Sequence, residues 1–210
     1  MITVIAVGGT IDCKRDGDVL RVGETDLTPY IGAHEKISPF RILSENTTFE
    51  HYVKLVETVR RVQADGILIT HGSDTLPYTA AALGFCLADT RIPIVLTAAD
   101  KPLGEDGNAA VNLEAAMRVL DSGVPGVYVA YADPGQQADI YYGVRMNEAR
   151  DFDGWYTPPA GKYYARQGGK EICGAPLCGR PLAPIFAPVD GYRFLPGMQY
   201  PQSDRPLLVM

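Results

Sequence analysis

Thr70, His71, Ser73, Asp74 and Thr75 stand almost side by side in the stretch Asp65-Gly66-Ile67-Leu68-Ile69-Thr70-His71-Gly72-Ser73-Asp74-Thr75-Leu76-Pro77-Tyr78-Thr79-Ala80. Hydroxyls beside a carboxylate suit acyl chemistry: a hydroxyl is a poor nucleophile until a neighbour takes its proton. The apolar run before these residues reads as a buried parallel strand, and the residues after them open a helix. The turn therefore lies at the carboxyl end of a strand, where open α/β sheets bind ligands, and free helix N–H groups there favour developing negative charge. The same residues also fit a plain helix cap, with Pro77 in the first turn.

Three further turns bear on that choice. Val7-Gly8-Gly9-Thr10-Ile11 ends an apolar run with two glycines and a hydroxyl. Glycines permit a tight turn and close backbone approach to a ligand. The segment lacks the third glycine of a dinucleotide fingerprint and the Gly-Lys-Ser/Thr of a phosphate loop, so it is not read as a nucleotide site. Ser44-Glu45-Asn46-Thr47 follows a second apolar run, and Thr97-Ala98-Ala99-Asp100 follows Pro93-Ile94-Val95-Leu96. Ser44 and Glu45 also fit an ordinary polar turn.

The elements that position these turns follow from periodicity. Strands are predicted over 2–7, 40–43, 66–70, 93–96 and 126–130. Helices are predicted over 49–64, 75–89 and 108–120, the first opened by a capping box at Thr47-Thr48-Phe49-Glu50 with Phe49, Tyr52, Val53, Val56 and Val59 on its core face. Residues 12–24 read as a solvated loop able to close over the site. Strands alternating with helices imply right-handed crossovers and a doubly wound, mostly parallel sheet of the flavodoxin-like or Rossmann-like kind. All four turns then emerge at one edge. In the strand order 2-1-3-4-5 the first and third strands are neighbours, which sets Thr10 opposite Ser73 and Asp74. Residues 138–146 read as a hairpin or edge pair and 206–210 as a last short strand. The α/β domain is drawn over 1–155, followed by a Pro-, Gly- and Tyr-rich tail over 156–210 that packs on the domain or on a neighbouring subunit.

Composition narrows the partners. Nineteen basic against 25 acidic residues give a net charge of −6 without a dense cationic patch, which argues against nucleic acid and anionic membrane and favours a small-molecule substrate. No apolar run reaches the ~20 residues that cross a bilayer, and Met1 leads straight into a strand, so a cytoplasmic protein is expected. The four cysteines, Cys13, Cys86, Cys173 and Cys178, are sparse and read as free thiols. The spacing of Cys173 and Cys178 matches no standard zinc pattern, and neither a metal nor a cofactor is expected.

The motifs Val7-Gly8-Gly9-Thr10-Ile11, Gly66-Ile67-Leu68-Ile69-Thr70-His71-Gly72-Ser73-Asp74-Thr75 and Pro93-Ile94-Val95-Leu96-Thr97-Ala98-Ala99-Asp100-Lys101-Pro102, with Asp106-Gly107 and Asn112, resemble the amino-terminal domain of the bacterial-type L-asparaginases over about residues 1–160. The resemblance implies hydrolysis of the side-chain amide of asparagine, or of a similar small amide, through an acyl-enzyme on Thr10. It places Ser73 at a second catalytic hydroxyl position and Asp74 at the aspartate that follows. Ser44 and Glu45 match the pair that binds the substrate's carboxylate and amino groups, and Ala99 the residue whose backbone meets the amide. Gly9 and Gly72 lie beside the reacting centre, where the Gly9-Thr10 and Gly72-Ser73 turns offer N–H donors to the oxyanion. His71 is read as structural. A homo-oligomer, dimer or tetramer, is implied as well.

The chain departs from the family's pattern in four places. Asn147 falls where the family has its catalytic lysine, counting back from Tyr156-Thr157-Pro158. Arg145, Arg150 and Lys162 lie in the region, but an arginine stays charged and cannot act as a base. Leu20 and Arg21 occupy the loop where many relatives carry a tyrosine, and Ser73 replaces a threonine. No second asparaginase domain is expected beyond the tail. Alternatives to the asparaginase reading are therefore an amidohydrolase of other specificity and a non-catalytic amino-acid-binding protein that lacks the lysine.

Overall fold

The computed structural model describes residues 1–133, 135–147 and 156, together with the backbone of residues 165–166, 190–192 and 207–209. Its strands in chain order are β1 (Ile2–Ala6), β2 (Cys13–Asp16), β3 (Val19–Val22), β4 (Glu35–Ile37), β5 (Gly66–Thr70), β6 (Pro93–Thr97), β7 (Gly126–Tyr131), β8 (Asp139–Tyr142), β9 (Ala165–Arg166), β10 (Asp190–Tyr192) and β11 (Leu207–Val209). The helices are α1 (Thr28–Ile31), α2 (Phe49–Arg61), α3 (Leu76–Cys86) and α4 (Ala109–Ser122).

The main sheet has seven strands in the order β4-β1-β5-β6-β7-β8-β9. The first five are parallel, and β8 and β9 add antiparallel at one edge. Numbered by chain position, the parallel strands run 2-1-3-4-5, the flavodoxin-like order under which the Thr10 turn and the Ser73-Asp74 turn are neighbours. The central strands β5 and β6 are buried along their whole length and mostly apolar because both faces are covered. Ile5, Ile67, Ile69, Leu96 and Val129 pack toward α2 and α3, whereas Val4, Leu68, Val95, Tyr128 and Ala130 pack toward α1 and α4. Fully burying one such Leu or Ile contributes about 1.5–3 kcal/mol, so this two-faced core is what holds the strand ends in register.

Several expected elements differ. The strand drawn over 40–43 is displaced: regular pairing with β1 occurs at β4, and Ile42 makes only an isolated bridge to Gly8. Pro39 supplies the reason, since it has no N–H to donate and breaks the ladder. The Ser38 hydroxyl takes over by donating to the Ala6 carbonyl at 2.8 Å, and Ile42 N–H resumes pairing with the Val7 carbonyl at 3.0 Å. Residues 12–24 are no irregular loop but largely an antiparallel hairpin of β2 and β3, turned at Gly17-Asp18 with Gly17 at φ 62°. The capping box of α2 lies one residue later than expected, joining Thr48 to His51, whose Nδ1 accepts from the Thr48 N–H at 3.1 Å. Its buried face is Leu55, Val56 and Val59, and Phe49 is exposed.

Residues 138–146 provide β8, which pairs with β7, and a short 3₁₀ turn at Gly143–Arg145. The final strand is β11, paired in parallel with β10. Arg150, Lys162, Cys173 and Cys178 lie outside the described residues, as does most of the segment over 156–210. Among the described residues no helix is long and apolar enough to cross a membrane, and no cluster of three His, Cys, Asp or Glu could hold a metal ion.

Candidate active site

The turns after β1 and β5 meet backbone to backbone. Gly9 sits at φ 83°, and a Cβ there would collide with the His71 carbonyl and the Gly72 nitrogen. Only glycine combines that dihedral with that contact. Gly72 in turn faces the 3₁₀ turn Ser44–Asn46, where an added Cβ would fall 2.6 Å from the Ser44 Cβ. Two side-chain-free positions thus let three turns converge, bringing the Thr10, Ser44 and Ser73-Asp74 segments to one crevice.

Polar side chains stitch this junction. Ser44 Oγ donates to Asp74 Oδ2 at 3.3 Å, and Thr75 Oγ1 donates to the Ser44 carbonyl at 3.0 Å. Thr75 occupies the cap position of α3, yet its side chain makes no capping bond. The plain helix-cap reading therefore does not describe this turn. Thr10 is half-buried and opens the 3₁₀ turn Thr10–Asp12, whose last N–H returns to the Gly9 carbonyl at 3.1 Å.

The turn donors divide into occupied and open ones. Gly9 N–H is taken by the Ile42 carbonyl at 3.3 Å. Among the described residues nothing accepts from the N–H groups of Thr10, Gly72 or Ser73. Asp74 and Glu45 are exposed and Ser73 is half-buried, so carboxylates and a hydroxyl face solvent at the same mouth.

His71 is not part of that open set. It is 3% exposed, with Nδ1 2.7 Å from the Gly72 carbonyl and Nε2 2.9 Å from Thr79 Oγ1. A carbonyl only accepts, so Nδ1 carries the proton and Nε2 accepts from Thr79. Burial pushes its pKa down, outweighing the Gly72 hydrogen bond and the Asp74 charge. It is a neutral, fully bonded imidazole, as the structural reading anticipates.

Ala99, two residues beyond β6, is buried in backbone held from α4. Asn112 Nδ2 donates to the Ala98 carbonyl at 2.9 Å and its Oδ1 accepts from Ala132 N–H at 2.7 Å. Asn108 accepts from Asp100 N–H at 3.0 Å and donates to the Ala132 carbonyl at 2.8 Å. Thr97 points away, donating to the Ala130 carbonyl at 3.0 Å. The hairpin bearing Leu20 and Arg21 is fastened to the loop before α4 by Arg15, which grips Glu105 at 2.9 and 3.0 Å. Asn147 is exposed.

Two neighbours of the crevice had no role in the sequence reading. Tyr156, there only a counting landmark, is 3% exposed; its hydroxyl donates to the Ser73 carbonyl at 2.5 Å and its ring meets Tyr131 edge-on at 4.8 Å. Burial first, then the charges of Tyr131, Asp74 and Asp133, push its pKa far up, so it stays a donor. Asp12, read as part of a solvated loop, is buried at the end of the turn that Thr10 opens. The aromatic character of the region after Trp155 is the one signal that pointed toward Tyr156.

Comparison with known proteins agrees with this arrangement. Residues 1–169 match the family described as Asparaginase, N-terminal. The L-asparaginase of Thermococcus kodakarensis is 34% identical over 144 residues, spanning 63% of this chain and 44% of that protein. A glutamyl-tRNA(Gln) amidotransferase component of Methanosphaera stadtmanae is 33% identical over 168 residues, 70% of this chain and 37% of that one. The solved thermostable L-asparaginase from Thermococcus kodakarensis superposes with a TM-score of 0.78 at 28% identity, covering 94% of this chain and 64% of its own. The chain thus spans about half or less of the length of these sequence relatives. With the parallel order 2-1-3-4-5, the junction of the Thr10, Ser44 and Ser73 turns and this match along most of its length, the chain belongs to the asparaginase family and corresponds to its amino-terminal domain.

Proposed function

We propose that the chain is an amidohydrolase that cleaves the side-chain amide of asparagine, or of a similar small amide, to the acid and ammonia. The observation that carries this reading is the packing of Gly9 on Gly72 and of Gly72 on Ser44, which gathers a hydroxyl, a Ser-Asp pair and unoccupied N–H donors at one crevice. In the proposed reaction Thr10 Oγ bonds to the amide carbon and its proton passes to the Ser73-Asp74 side. The N–H groups of Thr10 and Gly72 hold the oxyanion, each such donor being worth ~3 kcal/mol in the transition state. The C–N bond then breaks, the departing nitrogen takes the proton and leaves as ammonia, and water hydrolyses the Thr10 ester. Ser44 and Glu45 hold the substrate's carboxylate and amino groups, Ala99 meets the amide through its backbone, and Gly9 closes the floor.

The relative named for glutamyl-tRNA(Gln) makes glutamine the second substrate to test. A second reading, a non-catalytic amino-acid-binding protein, is favoured by exposed Asn147 at the lysine position, since an asparagine does not relay protons. Ammonia release from asparagine and glutamine, compared between wild type and Thr10→Ala, separates the readings. The hydrolase reading expects the variant to lose activity by about 10³-fold or more. Calorimetric binding of aspartate without turnover by wild type supports the binder. A homo-oligomer and a cytoplasmic location belong to the same proposal, the first checked by analytical ultracentrifugation and the second by cell fractionation.

A further inference from the structure

Asp12 is the one buried carboxylate among the described residues, its side chain 3% exposed. Its Oδ2 accepts from Thr70 Oγ1 at 2.6 Å, the short distance typical of a hydroxyl bonded to an ionised carboxylate. Its Oδ1 has no hydrogen-bond partner, and the nearest cation is Lys36 Nζ at 3.9 Å. Lys36 extends from β4 and donates to the Thr25 carbonyl at 3.0 Å, while Arg41, the other cation facing Asp12, is paired with Glu24. Cys13, beside it on β2, feels the same carboxylate, and its thiol is pushed up by burial and by Asp12.

A buried, half-satisfied carboxylate is costly and needs a reason. Its place in the chain supplies one. Asp12 ends the 3₁₀ turn that Thr10 begins, and Thr70 is the last residue of β5, directly before His71-Gly72-Ser73-Asp74. The Asp12–Thr70 bond spans 58 positions and ties the foot of one turn to the foot of the other. We propose that Asp12 is a positioning residue for Thr10: its carboxylate, held by Thr70 and faced by Lys36, fixes the spacing between Thr10 and the Ser73-Asp74 turn. Burial raises the carboxyl's pKa against the opposing effects of Thr70, Lys36, Arg41 and the Thr25 backbone N–H, so the tie strengthens as pH rises through a midpoint above the ordinary aspartate range.

The catalytic readout rests on Thr10 being the nucleophile, and the test has an arm that does not. In wild type, the backbone amide of Thr10 followed by NMR titrates with that elevated midpoint, and Asp12→Asn removes the step. In turnover, Asp12→Asn and the near-isosteric Thr70→Val each lower kcat by about tenfold with KM within about twofold. Asp12→Asn also removes the rise of kcat with pH on the acid side. A Thr10 amide indifferent to Asp12, or kcat retained in both variants, overturns the proposal. If wild type releases no ammonia, the hydrolase reading falls while the amide titration still decides Asp12; if Asp12→Asn does not fold, the wild-type titration and Thr70→Val decide it.

Discussion

The two halves of the sheet's carboxyl edge use the same strand pattern and end in opposite states. After β6 and β7 the polar side chains are saturated: Asn108 and Asn112 bond Ala98, Asp100 and Ala132, and Thr97 bonds Ala130. After β1 and β5 the N–H groups of Thr10, Gly72 and Ser73 have no acceptor among the described residues, and Ser73, Asp74 and Glu45 reach solvent. An unpaired donor is tolerable where water or a ligand can reach it and costly where neither can. The saturated half reads as the scaffold that fixes the backbone around Ala99 and the open half as the reacting edge, and the difference lies in two asparagines on α4 and its cap rather than in the strands.

Removing that saturation has the largest expected effect of the stability variants. Asn112 is fully buried with bonds from both ends of its amide, so Asn112→Ala orphans the Ala98 carbonyl and the Ala132 N–H. The expected loss is about 2–4 kcal/mol by urea denaturation. A variant as stable as wild type means the network is not what makes this half rigid.

A smaller effect sharpens the contrast inside the open half, where His71 is a saturated group. Its folded-state pKa lies below the ordinary 6.5, so the folded state disfavours the proton that the unfolded chain accepts. Stability is full above the unfolded pKa and falls as pH drops below it toward the folded one. Denaturation midpoints measured from about pH 7.5 down to about 5 are expected to decline more steeply in wild type than in His71→Gln. Parallel declines place the acid sensitivity elsewhere.

The smallest effect concerns the strap between the halves. Arg15 and Glu105 are both partly exposed and join the hairpin to the loop before α4. Exposed pairs contribute little, so Arg15→Ala is expected to leave the melting temperature unchanged within error while altering KM. A clear drop in melting temperature makes the strap part of the scaffold rather than of the crevice's cover.

The sequence made the parallel order and the convergence of turns legible because apolar runs and glycine-hydroxyl turns are local signals, and the position of Thr10 beside Ser73 and Asp74 follows from strand order alone. What escaped has a common cause. Asp12 with Thr70, Asn112 with Ala132 and Tyr156 with Ser73 are bonds across 58, 20 and 83 positions, which no window of periodicity contains. The β2–β3 hairpin was hidden differently: most of its residues are exposed on both faces, so the usual alternation is missing, and only Asp16-Gly17-Asp18 marked a turn. The strand placed at 40–43 failed on a single residue, Pro39, whose effect on pairing outweighed the apolar run after it.

Most depends on whether Thr10 bonds covalently to an amide carbon held between the β1 and β5 turns. Acid-quenching the protein during turnover of asparagine and sequencing its peptides by mass spectrometry reads that bond itself. An aspartyl ester on Thr10, absent in Thr10→Ala, is the expected result. Turnover with no adduct on Thr10, undiminished in Thr10→Ala, contradicts it.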